Sequence, residues 1–297
     1  MQNFDQAQRL REAVVFKKNI DRQDKPNNSS TRVICISSGK GGVGKSNFTI
    51  NLAIALQSQG KKVIVIDADL GLANVEILLG IMPKFTLLDV ISKNTSIKDV
   101  ITRGPMEIGI ISGGSGIQSM AELSLYDMNK LLNEINALKD MADFILIDTG
   151  AGISKSVTAF IEASEELIVI TTCEPPAIAD AYALIKIMSG IDKQKKISLV
   201  ANRAEDIKEA ENVFMKLSSV SKKFLDMNID YLGEILDDDN VTKSVKKQVP
   251  FYMNNPKSKA SQGIQNISER LLDMPVSQKG FNSFMKKLKG LFAGGGA

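Results

Sequence analysis

The stretch Ser38-Gly39-Lys40-Gly41-Gly42-Val43-Gly44-Lys45-Ser46-Asn47 limits what this chain can fold into more than any other. Before it runs Val33-Ile34-Cys35-Ile36, an apolar run that reads as a buried strand. After it, residues 48–56 carry the spacing of a helix laid on a sheet. Strand, glycine-rich loop and helix, in that order, form the setting of a phosphate-binding loop, and Gly39, four residues, then Gly44-Lys45-Ser46 have its spacing. Glycines let the backbone curl round an anion with its N–H groups inward, where a Cβ would block the curl or the approach. The start of the helix adds its dipole and unpaired donors. Lys45 is then the cation for the β- and γ-phosphates and Ser46 a ligand of Mg²⁺, while Gly39, Lys40, Gly41, Gly42, Val43, Gly44 and Asn47 complete the cradle. Lys40 is a second cation inside the loop. It either neutralises more charge in its own site or reaches a nucleotide held by a neighbouring subunit, and spacing alone does not choose between them.

Carboxylates at strand ends extend the site. Residues 62–66 read as a strand ending in Asp67-Ala68-Asp69, and Phe144-Ile145-Leu146-Ile147 as one ending in Asp148-Thr149-Gly150. Those ends are where an open α/β sheet keeps its ligand crevice. Bare carboxylates would repel a triphosphate, so Mg²⁺, water or a lysine must stand between. Asp148 suits the metal, directly or through water, and Gly150 lets a backbone N–H approach the γ-phosphate. Further strands at 167–171, 197–201 and 229–236, with helices at 206–225 and 263–272, predict a doubly wound, mostly parallel α/β sheet. After the strand at 197–201, the amide of Asn202 offers a donor and an acceptor to an adenine edge, beside Arg203; Pro250 and Phe251 could close the other side of the base. A plain strand-end turn is the alternative. Gly113-Gly114-Ser115-Gly116 has no following lysine and reads as a turn, and Asp237-Asp238-Asp239 as a loop or helix start.

Composition removes several classes of function. The chain of 297 residues has no histidine, so histidine acid–base chemistry and histidine metal ligation are out. Its two cysteines form no Cys-x-x-Cys pair, which argues against zinc or an iron–sulfur carrier. A net charge of +3 gives little electrostatic reason to bind DNA. No apolar run is long enough to span a bilayer and no secretory core opens the chain, so a cytoplasmic protein is expected.

The run Lys40-Gly41-Gly42-Val43-Gly44-Lys45-Ser46 resembles the deviant phosphate loop of the MinD/ParA family. Asp67-Ala68-Asp69-Leu70-Gly71-Leu72-Ala73-Asn74 resembles that family's switch I, Asp148-Thr149-Gly150-Ala151-Gly152 its switch II, and Asn202-Arg203 its adenine-side motif. The resemblance covers about residues 32–272. It implies an ATPase with ATP and Mg²⁺ that forms a homodimer with ATP. In it Lys40 crosses to the partner's nucleotide, Asp67 supports the metal's water shell and Asp69 positions the attacking water.

Two arms flank this domain. Residues 1–31 hold an amphipathic segment at 4–20, with Phe4, Ala7, Leu10 and Val14 on one side, and then a polar linker. Within it Asp5-Gln6-Ala7-Gln8-Arg9-Leu10-Arg11 resembles the activator motif of the FlhG family of flagellar regulators. That resemblance implies stimulation of an FlhF-type GTPase, with flagellar basal-body proteins as further partners. Residues 273–297 give a linker and a helix with Phe281, Phe284, Met285, Leu288, Leu291 and Phe292 on one face, and Lys279, Lys286, Lys287 and Lys289 on the polar side. This is the pattern of a helix lying in an anionic membrane surface, on the inner face of the cell membrane. A helix docked on the domain's own core is the competing reading. Other members of the same family are division-site MinD and DNA-partitioning ParA proteins, which share the phosphate site; the C-terminal helix and the low charge count against DNA.

Overall fold

A computed structural model describes residues 31–69, 74–113, 125–274 and 280–293. Its strands are β1 (Arg32–Ser38), β2 (Val63–Ala68), β3 (Thr102–Arg103), β4 (Gly109–Ser112), β5 (Phe144–Ala151), β6 (Glu166–Thr172), β7 (Lys196–Ala204) and β8 (Asp230–Leu236). They form one sheet in the order β3-β4-β2-β5-β1-β6-β7-β8. Every pairing is parallel except that of the two-residue edge strand β3 with β4. The doubly wound sheet expected from the apolar runs is therefore present.

Alternation explains why those runs are apolar throughout. Val33 and Cys35 of β1, Ile64 and Ile66 of β2, and Ile145 and Ile147 of β5 enter one core. Their neighbours Ile34, Ile36, Val63, Val65, Phe144 and Leu146 enter the other. A strand covered on both faces has no place for a polar side chain until it reaches its end. The second core is covered by α1 (Lys45–Ser58), α10 (Phe251–Asn254) and α11 (Lys259–Asp273), with α2 (Asn74–Leu79) along α1. The first is covered by α3 (Asp89–Ser92), α4 (Ile97–Val100), α5 (Leu125–Asn136), α6 (Lys155–Ala163), α7 (Pro175–Ile191), α8 (Ile207–Leu225) and α12 (Gly280–Ala293). Between the two groups, α9 (Asp239–Lys246) leaves the end of β8, capped by the Asp238 carboxylate.

At the foot of the sheet the Arg32 guanidinium meets both carboxylate oxygens of Glu166, at 2.8 and 2.7 Å, and donates to the Leu271 carbonyl of α11. This buried clamp ties α11 to the first strand; Lys196 Nζ also lies 3.2 Å from Glu166 Oε2, so loss of Glu166 would strand the buried Arg32 charge while loss of Arg32 would leave Glu166 one cation.

In this structure the C-terminal helix takes the competing arrangement, docked on the domain's own core. Its apolar face does not stand free for a membrane: Phe281, Phe284 and Leu288 are 0, 2 and 2% exposed, and Met285 and Leu291 pack half-buried beside them. The face lies on α6, α5 and β1. Lys287 reaches Asp192 at 3.3 Å, and Lys289 is partly buried, which lowers its pKa; Lys286 is exposed. The physical reason is that an apolar stripe of helical period fits a protein core as well as it fits lipid, and here α5 and α6 leave a trough that needs filling. The side chain of Phe292, the residue Lys279 and the activator motif Asp5-Gln6-Ala7-Gln8-Arg9-Leu10-Arg11 lie outside the described residues.

Candidate nucleotide and metal site

The loop from β1 to α1 is shaped by two close approaches. A Cβ on Gly39 would stand 2.1 Å from the backbone oxygen of Asp180 in α7. Gly44 has φ +92°, and a Cβ there would meet the Asn202 amide nitrogen at 2.4 Å. Gly44 is also the N-cap of α1 and caps it with no side chain, so the first N–H groups of the helix face the loop's interior. Ser38 Oγ donates to the Lys40 carbonyl at 3.0 Å and Gly152 N–H to the Ser38 carbonyl at 2.9 Å. Thr149 Oγ1, within hydrogen-bond distance of the Ile36 carbonyl and Ser37 Oγ, joins the ends of β5 and β1.

Beneath the loop Lys45 Nζ lies 3.1 Å from Asp148 Oδ1, both groups buried, and Thr49 Oγ1 stands 3.1 Å from the same oxygen. Asp148 Oδ2 is buried and has no hydrogen-bond partner among the described residues. On the adjacent strand Asp67 pairs in register with Asp148. It accepts from the N–H groups of Asp69 at 3.1 Å and Val75 at 3.2 Å. Burial, and then the neighbouring Asp148, push the Asp67 carboxyl up to about 7. Two buried acids side by side with one orphaned oxygen are a donor set suited to a hard cation, and Mg²⁺ fits them. Ser46, second residue of α1, belongs to the same end of the helix.

Asp69 stands at the edge of this group. Its Oδ2 accepts from Asn74 Nδ2 at 2.9 Å, and a Cβ on Gly150 would lie 3.3 Å from its Oδ1. The segment that follows β2 and the end of β5 thus meet at these two residues; residues 70–73 lie outside the described ones. Lys40 pairs at 3.4 Å with Glu174 of its own chain, and both side chains are well exposed. Such a pair contributes at most about 1 kcal/mol and leaves the lysine able to move.

Where the sequence suggests a base, a cavity of 240 Å³ lies at the ends of β7 and β8, reached by Asn47, Asn202, Arg203 and Phe251. Asn202 has a more restricted part than its chemistry suggested. Its Nδ2 donates one N–H to the Val43 carbonyl at 2.7 Å, which fixes the amide and leaves its oxygen and its second N–H for a base. Arg203 sits in the left-handed region at φ 57° and is exposed. Pro250 is not in the wall; it caps α10 and sets where Phe251 enters. Sequence reasoning missed the wall formed by Ile235, Leu236, Asp237, Asp238, Val241 and Thr242. The signal was there: β8 runs parallel beside β7 with Ile235 opposite Asn202, so its C-terminal end opens on the same crevice.

Comparison with known proteins agrees with this geometry. The family described as ParA, NUBPL iron-transfer P-loop NTPase, matches residues 29–272. Antiactivator FleN of Pseudomonas aeruginosa is 40% identical over 245 residues, covering 82% of this chain and 88% of that protein. The flagellum site-determining protein YlxH of Helicobacter pylori is 33% identical over 270 residues, covering 88% of this chain and 91% of that protein. Among solved structures the cell division ATPase MinD of Pyrococcus furiosus matches with a TM-score of 0.64 and 26% identity, over 82% of this chain and 99% of that one. MinD of Pyrococcus horikoshii, complexed with Mg-ADP, matches with a TM-score of 0.64 and 27% identity, over 81% and 96%. The iron-transfer description is not matched by a thiol cluster here, since Cys35 is buried in a central strand and Cys173 stands alone at the end of β6. With its glycine loop, its second lysine and its paired strand-end carboxylates, the chain belongs to the ParA/MinD family of P-loop NTPases.

Proposed function

We propose that this protein is a Mg²⁺-dependent ATP hydrolase that dimerises with ATP and regulates flagellar number and placement. The observation that carries the hydrolase is the buried pair Asp67 and Asp148, with Lys45 on Asp148 Oδ1 and the other oxygen, Oδ2, left without a partner among the described residues. Mg²⁺, when bound, neutralises phosphate charge and orients the phosphates. The uncapped N–H groups of α1 and the Lys45 ammonium bind the β- and γ-phosphate oxygens; Asp69, steadied by Asn74, orients the attacking water. Lys45→Ala should abolish hydrolysis and weaken nucleotide binding, and Asp69→Ala should keep ATP binding while losing turnover. Normal hydrolysis by the Asp69→Ala protein removes that residue from the mechanism.

The flagellar role is supported by the likeness to FleN and to YlxH, whose name makes it flagellum site-determining. In this reading residues 5–11 stimulate an FlhF-type GTPase, and a peptide of residues 1–20 should raise GTP hydrolysis by that enzyme. No effect of the peptide would take away the GTPase partner. In the cell, Asp69→Ala should change the number of flagella counted by electron microscopy.

Membrane association belongs to the ATP state. It requires α12 to leave the trough on α5 and α6, because the face that would meet lipid is the one now buried. The helix α6 starts at Lys155, three residues after Gly152, so the segment that senses the γ-phosphate leads directly into one wall of the trough. Lys40, released from Glu174, is the residue available to a nucleotide across a dimer interface.

A further inference from the structure

Thr49 sits one turn into α1 and is fully buried. Its Oγ1 lies 3.0 Å from the carbonyl of Lys45, four residues back on the same helix, and 3.1 Å from Asp148 Oδ1 at the end of β5. A threonine hydroxyl bonded to the carbonyl one turn back is common inside helices and by itself has no further role. The second acceptor sets this one apart. A hydroxyl carries one proton, so Thr49 can serve the carbonyl or the carboxylate but not both at full strength. The Lys45 carbonyl has the helical ladder as its other source of a donor. Asp148 has less to draw on. It is fully buried, Lys45 Nζ lies 3.1 Å from the same Oδ1, and Oδ2 has no partner among the described residues. The residue paired with it in register on β2 is Asp67, a second acid.

This arrangement has to change when Lys45 is used. In the proposed function the Lys45 ammonium binds the β- and γ-phosphate oxygens, and an ammonium drawn up to a triphosphate leaves Asp148 Oδ1. A buried carboxylate that loses its cation carries a large desolvation penalty unless another donor takes its place. The Thr49 hydroxyl already stands within bonding distance, and a turn about its Cβ–Oγ1 bond aims the proton at the carboxylate with no movement of the chain. A hydrogen bond to a charged acceptor is stronger than one to a neutral carbonyl, so the proton goes to Asp148 once the lysine has gone.

We propose that Thr49 holds Asp148 in place when Lys45 moves to the phosphates, its hydroxyl turning from the Lys45 carbonyl to Asp148 Oδ1. This role rests on the reading of Lys45 as the phosphate cation. It makes Thr49 a positioning residue for the metal. With a donor kept on Oδ1, the carboxylate stays fixed at the end of β5 and leaves Oδ2, the oxygen without a partner, to Mg²⁺. The same bond keeps α1 tied to β5 while the lysine is away.

Two replacements divide the side chain. Thr49→Val has nearly the same shape and no hydroxyl; Thr49→Ser keeps the hydroxyl and loses a buried methyl. Calorimetry should show the affinity for Mg-ADP falling about tenfold or more in Thr49→Val, while Thr49→Ser binds like the parent. A threonine that only packs would give the opposite order, since serine leaves a cavity and valine does not. A second measurement needs no nucleotide. Lys45→Met removes the cation and keeps the length of its stem, which puts Asp148 permanently in the condition that departure of Lys45 creates. In that background Thr49→Val should lower the melting temperature more than it does in the parent, because the hydroxyl is then already on Oδ1, and the two changes are non-additive. Mg-ADP binding by Thr49→Val equal to the parent's overturns the proposal. So does binding by Thr49→Ser as weak as that of Thr49→Val, and so do additive melts. Mg-ADP binding by Lys45→Met equal to the parent's overturns it at a different point, the reading of Lys45 as the phosphate cation. The melts, which involve no nucleotide, tell that failure from a failure of the hydroxyl.

Discussion

Asp67 holds a carboxyl that burial and Asp148 raise from 3.8 to about 7. An acid whose folded pKa is raised favours the fold while protonated. That stability is fully present below the unfolded value, and it is lost as pH rises through the window from 3.8 to about 7. With metal and nucleotide withheld, Asp67→Asn should therefore unfold at a higher temperature than the parent at pH 8. The difference should shrink as pH falls toward 4, since each tenfold change in proton affinity between the folded and unfolded chain is worth about 1.4 kcal/mol. Thermal melts of both proteins in EDTA check this, and a gain that ignores pH would count against the titration. At the base pocket, Asn202→Asp keeps the shape but turns a carboxylate toward the Val43 carbonyl, losing the 2.7 Å bond. The new carboxylate beside the cavity repels an anionic nucleotide, so ATP affinity by calorimetry should fall about 10-fold, about 1.4 kcal/mol. These two residues mark how far the sequence could be read. Asp67 was legible because a carboxylate ending an apolar strand beside a phosphate loop has few other uses. The restraint on Asn202 was not, because it depends on a carbonyl 159 residues away that only the folded sheet brings near.

At the scale of elements, the central strands β1, β2, β5, β6 and β7 were legible because each is an apolar run stopped by a charged or small residue. The helix α6 was not anticipated. Its nine residues offer barely two turns of pattern, and its start depends on Ser154 Oγ accepting from the Val157 N–H. The strand β3 is two residues long and is a strand only because β4 lies beside it. For α12 the helix and its apolar face were both legible; the partner of that face was not, since periodicity describes a stripe and not what covers it. The docked position makes a prediction that the membrane reading alone does not. Phe284→Ala should destabilise the domain by about 3–5 kcal/mol, the usual cost of emptying a buried aromatic site. Exposed Lys286→Gln should stay within about 0.5 kcal/mol of the parent. Urea unfolding of the nucleotide-free protein measures both. A Phe284→Ala protein as stable as the parent would mean that α12 contributes nothing to the fold.

Over the whole molecule, the trough for α12 and the phosphate site share α6. One end of that helix follows the segment whose Gly150 faces Asp69. At its other end Lys195 donates to the carbonyls of Ile161, Glu162 and Ser164 and lies 4.0 Å from Asp192, the residue that also holds Lys287 of α12. In the proposed function, a movement of α6 driven from the phosphate end would reach the contacts that pin α12. Release of α12 withdraws Phe281, Phe284 and Leu288 from the core, so a free helix exposes the apolar area that a bilayer can take up again. Binding to the membrane should then need ATP and two conditions on α12: a face that is apolar and lysines that attract an anionic surface. Sedimentation with anionic vesicles should be strong for Asp69→Ala with ATP and weak with ADP. Lys286→Gln with Lys287→Gln should weaken it on anionic vesicles more than on neutral ones, because each lysine near the surface is worth about 1 kcal/mol there. Leu288→Glu separates docking from insertion: it should loosen α12 from the domain and still abolish sedimentation, since a carboxylate now enters the apolar face. Sedimentation by Leu288→Glu equal to the parent's would show that α12 is not the membrane contact and that its place is in the core in every nucleotide state.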